Sequence, residues 1–227
     1  MKTPIRVMAE VHAEPARRAL LMAGLVASPV LLAGCLETLL PRPAALPQRY
    51  GLDNGVRVPR VAASLAGAPS LVVDLPRAAA GYDGRRMIYM RQAPRLEAFA
   101  FHEWLDTPAQ MLVPLLVAAL QGEAAFGVVV RAPTAAVADW RLETELLRLH
   151  QDFTQGPSRT RLTLRAVLLH AATRRAVAWR EFDLDAVAAA DNPESGVFAA
   201  QLVARRLAQE VAVFCASQVR IEDGSAR

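Results

Sequence analysis

The chain has 227 residues, 53% of them hydrophobic and 21% charged, which excludes a disordered or low-complexity protein and points to one domain with a tail or tether. Two cysteines exclude a disulfide scaffold, and four histidines far apart in sequence speak against a His/Cys zinc module. The net charge of +4 is partly N-terminal: the first 34 residues hold four basic and two acidic residues, so their removal leaves +2. Apart from Lys2 every cation is arginine, and no basic cluster is interleaved with aromatics, so no nucleic-acid footprint is present.

Residues 19–34 (ALLMAGLVASPVLLAG) follow Arg17 and Arg18 and precede Cys35. The stretch is short for a membrane span and contains Gly24 and Pro29, whereas a basic start, an apolar centre and a small-residue end describe an export signal. Leu32-Ala33-Gly34-Cys35 matches the bacterial lipobox, in which cleavage leaves the cysteine as the new N-terminus and its thiol carries a lipid. The arginine pair leaves export by the Sec or the twin-arginine route open. Cys215, then without a partner, reads as a small buried hydrophobe. Leu36 follows the lipid-bearing cysteine where enteric lipoproteins kept in the inner membrane carry Asp, so by resemblance the chain is expected on the inner leaflet of the outer membrane, facing the periplasm. The expected organisation is therefore a signal at 1–34, an acylated Cys35 with a Pro-rich tether to residue 49 (Pro41, Pro43 and Pro47), a folded domain at 50–218 and a frayed polar tail at 219–227.

Within the domain, residues 70–75 form a short apolar run ended by Pro76 and read as a strand, followed by strands at 86–91 and 96–101. Thr107 and Gln110 form a capping box with Pro108 at the first helical position, and Met111, Leu112, Leu115, Ala119 and Leu120 continue a helical stripe to Gly122, interrupted by Pro114. Residues 126–130 are a β-branched strand. Residues 140–153 have helical propensity but alternate as Trp140, Leu142, Thr144 and Leu146, with a phase change at Leu146-Leu147 that a bulge would explain. Leu162, Leu164, Ala166 and Leu168 alternate with polar residues, and residues 176–182 follow a turn at 173–175; with 140–153 they predict an antiparallel meander. Asn192 caps a last long helix, Pro193 opens it, and Ala200, Val203, Leu207, Val211 and Phe214 form its buried stripe. The order β-β-β-α-β-β-β-β-α predicts an α/β or α+β domain: a mixed sheet with two main helices, one sheet face helix-covered and the other partly exposed or paired with a neighbour.

Chemistry-bearing patterns are missing: there is no G-x-S-x-G, Walker loop, G-x-G-x-x-G or H-E-x-x-H. His102, beside Glu103 and Trp104, is expected to be a surface or satisfied core residue. His150 and His170 fall in strand-like segments and are expected to face each other across the sheet. Glu143 and Glu145 are expected on one exposed strand face. The residues support no enzyme, no cofactor and no catalytic or metal site.

The segments Gly81-Tyr82-Asp83-Gly84-Arg85-Arg86-Met87-Ile88-Tyr89, Phe101-His102-Glu103-Trp104 and Thr107-Pro108-Ala109-Gln110-Met111-Leu112 resemble the ABC-type transport auxiliary lipoprotein family, of the PqiC-like kind. The resemblance continues through Trp140-Arg141-Leu142, Gln151-Asp152-Phe153 and Ala178-Trp179-Arg180-Glu181-Phe182 to the last helix, covering about residues 50–215. It implies an α/β/α sandwich with a mixed sheet, similar to anticodon-binding-like and TolB N-terminal folds. It also implies an auxiliary role beside an MCE-domain protein and an ABC permease and ATPase that move lipid between inner and outer membranes. Where enteric members read Leu-Asp-Arg-Pro-Gln-Ile this chain reads Tyr-Asp-Gly-Arg-Arg-Met, which leaves the lipid and the partner set open. Tyr82, Arg86, Tyr89 and Trp104 are large amphipathic groups near one strand-turn-helix region: either Trp104 and Tyr89 simply pack the helix on the sheet, or the four form a docking surface for the MCE partner or for another copy of the chain, a homo-oligomer. An outer-membrane assembly lipoprotein that supports a β-barrel without handling lipid is the alternative function.

Overall fold

The structure, a computed structural model, describes residues 46–53 and 67–225. The expectations for the signal, for Cys35 and for the tether up to residue 45 lie outside the described residues. The described elements all belong to the unit Leu46–Arg227. Strands β1 (Gln48–Tyr50), β2 (Ser70–Val73), β3 (Arg77–Ala78), β4 (Arg86–Gln92) and β5 (Arg95–Trp104) precede helix α1 (Pro108–Gln121). Then come β6 (Val128–Arg131), β7 (Trp140–Asp152), β8 (Arg159–His170), β9 (Arg175–Val187) and helix α2 (Pro193–Ser225).

All described strands join one mixed sheet built on β7. One edge of β7 takes β8 along its length, antiparallel, and β9 adds outside β8. The other edge is shared by three parallel strands in succession: β2 against Trp140 to Leu142, β3 against Glu145 and Leu146, β4 against Gln151 and Asp152. Beyond them the sheet forks, β6 continuing from β2, and β5 then β1 from β4. The meander is as the alternation indicated, and the ambiguous 140–153 segment is a strand whose register shifts between Leu146 and Arg148. The two short strands β1 and β3 carry too few residues to show a period, so alternation alone does not reveal them.

Trp140, Leu142, Leu146, Leu162, Leu164 and Leu168 point from the sheet into one core with Leu112, Leu116 and Leu120 of α1 and Val203, Leu207 and Val211 of α2. Phe182 of β9 meets Phe214 of α2 edge to face at 5.9 Å. Both helices share this one core, and among the described residues the opposite sheet face is not helix-covered; the layering is α on β, not the α/β/α that the resemblance implied. The open face carries ion pairs across neighbouring strands: Arg141 with Asp74 (2.7 Å), Arg161 with Asp152 (2.8 Å), and Arg165 between Glu145 and Glu181. Glu143 and Glu145 lie on this face as expected, Glu143 near Arg77. The exposed ones among these contribute about 0–1 kcal/mol each, so they hold the face in register more than they hold the fold, whereas Asp152 is buried.

The helix starts are as the sequence indicates, with one difference. Asn192 Oδ1 accepts from the Ser195 N–H (2.8 Å), and Thr107 Oγ1 accepts from the Gln110 N–H (3.4 Å). The reciprocal half of the expected capping box is replaced: Asp106 accepts the Thr107 N–H, while the Gln110 side chain accepts from Arg131. Helix α2 runs to Ser225, with Val219 buried and Glu222 bound to Arg175 (3.1 Å), so residues 219–225 of the segment expected as a frayed tail continue the helix. Gly196 lets α2 approach β7 closely, because a Cβ there would collide with the Gln151 side chain.

Candidate docking surface

Where β1, β5, β4 and the end of β7 lie side by side, five rings form a continuous strip. Tyr50 stacks on His102 (centroids 5.9 Å apart), His102 meets Phe99 (5.9 Å), Phe99 meets Tyr89 (4.4 Å), and Tyr89 meets Phe153 (6.0 Å). All five are half-buried. The β4–β5 pairing explains why: between the pairs Arg86–Glu103 and Ile88–Ala98 the register shifts, and this irregular stretch of β5 holds Phe99 and His102. Tyr89 also lies on the helix-side face, since its parallel neighbour Gln151 points at Gly196 of α2.

Polar groups frame the strip. The Arg91 guanidinium stands 5.3 Å from the Tyr89 ring centre and 5.9 Å from that of Phe153. The Tyr89 hydroxyl donates to Glu97 (3.1 Å). At the other end, Glu194 in the first turn of α2 accepts from His102 Nε2 (3.0 Å) and from the Tyr50 hydroxyl (3.4 Å). Its own backbone N–H, then His102, hold the Glu194 carboxyl below its ordinary pKa. Burial raises the Tyr50 phenol, with Glu194 adding to it, and burial followed by the Glu97 hydrogen bond raises that of Tyr89. Both tyrosines thus present an apolar ring and a protonated, anchored hydroxyl, the amphipathic chemistry of interfaces.

The four residues singled out from sequence separate in space. Tyr89 is in the strip, and Arg86 is exposed at the start of β4 opposite Glu103. Trp104 is 4% exposed and part of the core, so the docking expectation does not extend to it. Tyr82 lies half-buried over His150, rings 6.2 Å apart, its hydroxyl 3.1 Å from His150 Nδ1. His150 sits between Arg148 and Asp152, whose partners are on the ion-paired face, so Tyr82 and Tyr89 are on opposite faces of the sheet. His150 and His170 do not face each other: His150 is in register with Arg161 and His170 with Trp140, at opposite ends of the β7–β8 pair. His102, for which no role beyond a surface or core residue was expected, is the link between the strip and α2. Tyr50, Phe99, Phe153, Arg91 and Glu194 were not identified as site residues; only the pairing of distant strands assembles them.

Among the described residues no group of three or more His, Cys, Asp or Glu is placed to hold a metal ion, and no helix is long and apolar enough to cross a membrane. Cys215 is buried, as expected, and burial pushes its thiol up to about 12, so it is inert at neutral pH.

Residues 50–212 match the family model described as "ABC-type transport auxiliary lipoprotein component". Among solved structures, the chain is similar to a Xanthomonas campestris protein of family DUF330, with a TM-score of 0.62 at 19% identity over 81% of this chain and 94% of that one. It is also similar to an uncharacterized protein, with a TM-score of 0.58 at 15% identity over 74% of this chain and 97% of that one. At these identities the likeness establishes the fold. No curated protein matches the chain.

Proposed function

Because the chain belongs to the ABC-type transport auxiliary lipoprotein family, we propose that it serves an MCE-associated ABC system that moves lipid between inner and outer membranes, held to the outer membrane by lipid on Cys35. The observation that carries this reading is the five-ring strip, half-exposed and framed by Arg91, Glu97 and Glu194, in a family of auxiliary lipoproteins. An auxiliary subunit acts by touching its partner, and interfaces favour aromatic residues and arginine. In this reading the strip docks the MCE-domain protein, Arg86 adds a charged contact from the start of β4, and Tyr82 serves the other face. Strand β1 supplies the first ring and begins about 13 residues after Cys35, so a fully extended tether would keep the start of β1 within ~45 Å of the bilayer surface.

The test is a mild-detergent pull-down of the full-length acylated chain from its native membranes, with protein and lipid mass spectrometry. The expected eluate contains an MCE-domain protein, and Tyr89→Ala with Arg86→Ala reduces its recovery at least about tenfold while the fold persists, as loss of interface anchors does. A β-barrel in the eluate with no MCE protein would replace the transport reading with that of an assembly lipoprotein.

A further inference from the structure

Strand β9 is 13 residues long and pairs with β8 alone; nothing among the described residues pairs with its outer edge. At about 3.3 Å per residue this is ~43 Å of backbone with alternate N–H and C=O groups turned outward. Proteins blunt such edges with proline, bulges, short strands or charged side chains; β9 contains no proline, shows one register shift at its start, and carries Arg175, Arg180, Glu181, Asp183 and Asp185. It also exposes apolar side chains: Trp179 is 67% exposed, while the other two tryptophans are 4% exposed.

The charges along this edge are unequal. Each β9 carboxylate is already engaged by an arginine of the inner strands: Glu181 by Arg165 (3.2 Å), Asp183 by Arg148 (2.8 Å) and Asp185 by Arg159. Arg175 is engaged by Glu222. Arg180 lies over the Phe182 ring (4.8 Å), and Arg174 occupies the turn into β9 with φ 56°. The acids of the edge are neutralised from within, while Arg174 and Arg180 are exposed and without a carboxylate partner among the described residues.

We propose that β9 is an acceptor edge for an extended acidic segment of a partner protein, which adds to the sheet as a further strand beside β9. Main-chain hydrogen bonds supply affinity, Trp179 supplies an apolar contact, and Arg174 and Arg180 select acidic over basic side chains. This surface is separate from the aromatic strip and does not rest on the transport reading.

The probe is an end-blocked peptide of about ten residues alternating Val and Glu, sufficient to span most of the strand. It is titrated onto the full-length chain in detergent micelles and followed by tryptophan fluorescence and hydrogen exchange. The expected result is saturable binding that slows exchange of β9 amides, weakens with salt, and is lost when alternate peptide amides are N-methylated. A Val–Lys peptide should bind at least about tenfold more weakly, and the Arg174→Glu, Arg180→Glu double variant should lose a similar factor with its circular dichroism unchanged. Arg174→Asn, which keeps a residue tolerant of the turn conformation, should show a smaller loss in the same direction. Equal binding of the Val–Lys peptide, no effect of Arg174→Asn, or protection away from β9 would overturn the proposal. So would sedimentation showing that β9 is already covered by a second copy in the peptide-free chain.

Discussion

His150 illustrates how one buried residue sets a solution property. Its side chain is 4% exposed, and a phenol that burial keeps protonated, Tyr82, donates to Nδ1, which assigns the ring proton to Nε2. Burial first, and then the positive charge of Arg148, lower its pKa from 6.5 to about 4. The unfolded chain therefore takes up a proton near the ordinary histidine value, while the folded chain does not until about 4. Stability from the neutral ring is complete above pH 6.5 and is lost as pH falls toward 4, about 3 kcal/mol in all. The lowered carboxyls of Asp139, Asp152, Asp183, Asp191 and Glu194 act in a separate window, since their contributions are lost below the usual carboxylate range. Urea unfolding between pH 7 and pH 4.5 should therefore show falling stability in the native chain and a flatter profile in His150→Phe.

At the scale of elements, α1 combines a good start with a poor middle. Thr107 satisfies one of its first amides, but Pro114 sits inside the helix, exposed, where it has no N–H to give the Gln110 carbonyl. The helix persists because Leu112, Leu116 and Leu120 are fully buried against the sheet and α2. Pro114→Ala restores the hydrogen bond and removes the ring clash, against a smaller gain of freedom in the unfolded chain. The variant should be more stable by about 1–2 kcal/mol, a rise of several degrees in Tm by scanning calorimetry. The edge strand β9 is less buried: its position rests on the β8 pairing and on Phe182 and Ala186 in the core, with Val177, Ala178 and Leu184 packed against it.

At the scale of the whole molecule, β7 organises the domain. It is bonded along one edge to β8 and along the other to three strands in turn, so opening it means opening the sheet. Strand β1 has three residues and β3 two, each pairing one neighbour. Native-state hydrogen exchange should accordingly find amides of β7 and β8 slowest, with β1 and β3 exchanging at least about tenfold faster. This gradient bears on function, because β1 carries Tyr50 of the aromatic strip and is tied to the body by Glu194, by the Leu105 N–H to the Tyr50 carbonyl (2.7 Å) and by Gln201 to the Gly51 carbonyl (2.9 Å).

Local patterns determined the parts whose physics is local. Alternation along 140–152, 162–168 and 176–182 marks half-buried strands, and Asn192 and Thr107 mark helix starts through single side-chain hydrogen bonds. The family was likewise legible, because its motifs are runs of neighbouring residues spread over most of the chain. The docking strip was not, because its five rings come from three strands and the residue after β7, and their adjacency depends on parallel pairing and on an irregular register in β5. For the same reason Trp104 and Tyr89, close in sequence pattern, take different places: one is buried beneath the helices and the other opens to solvent. Side-chain type and spacing set which elements form, while the pairing of distant strands sets which side chains meet.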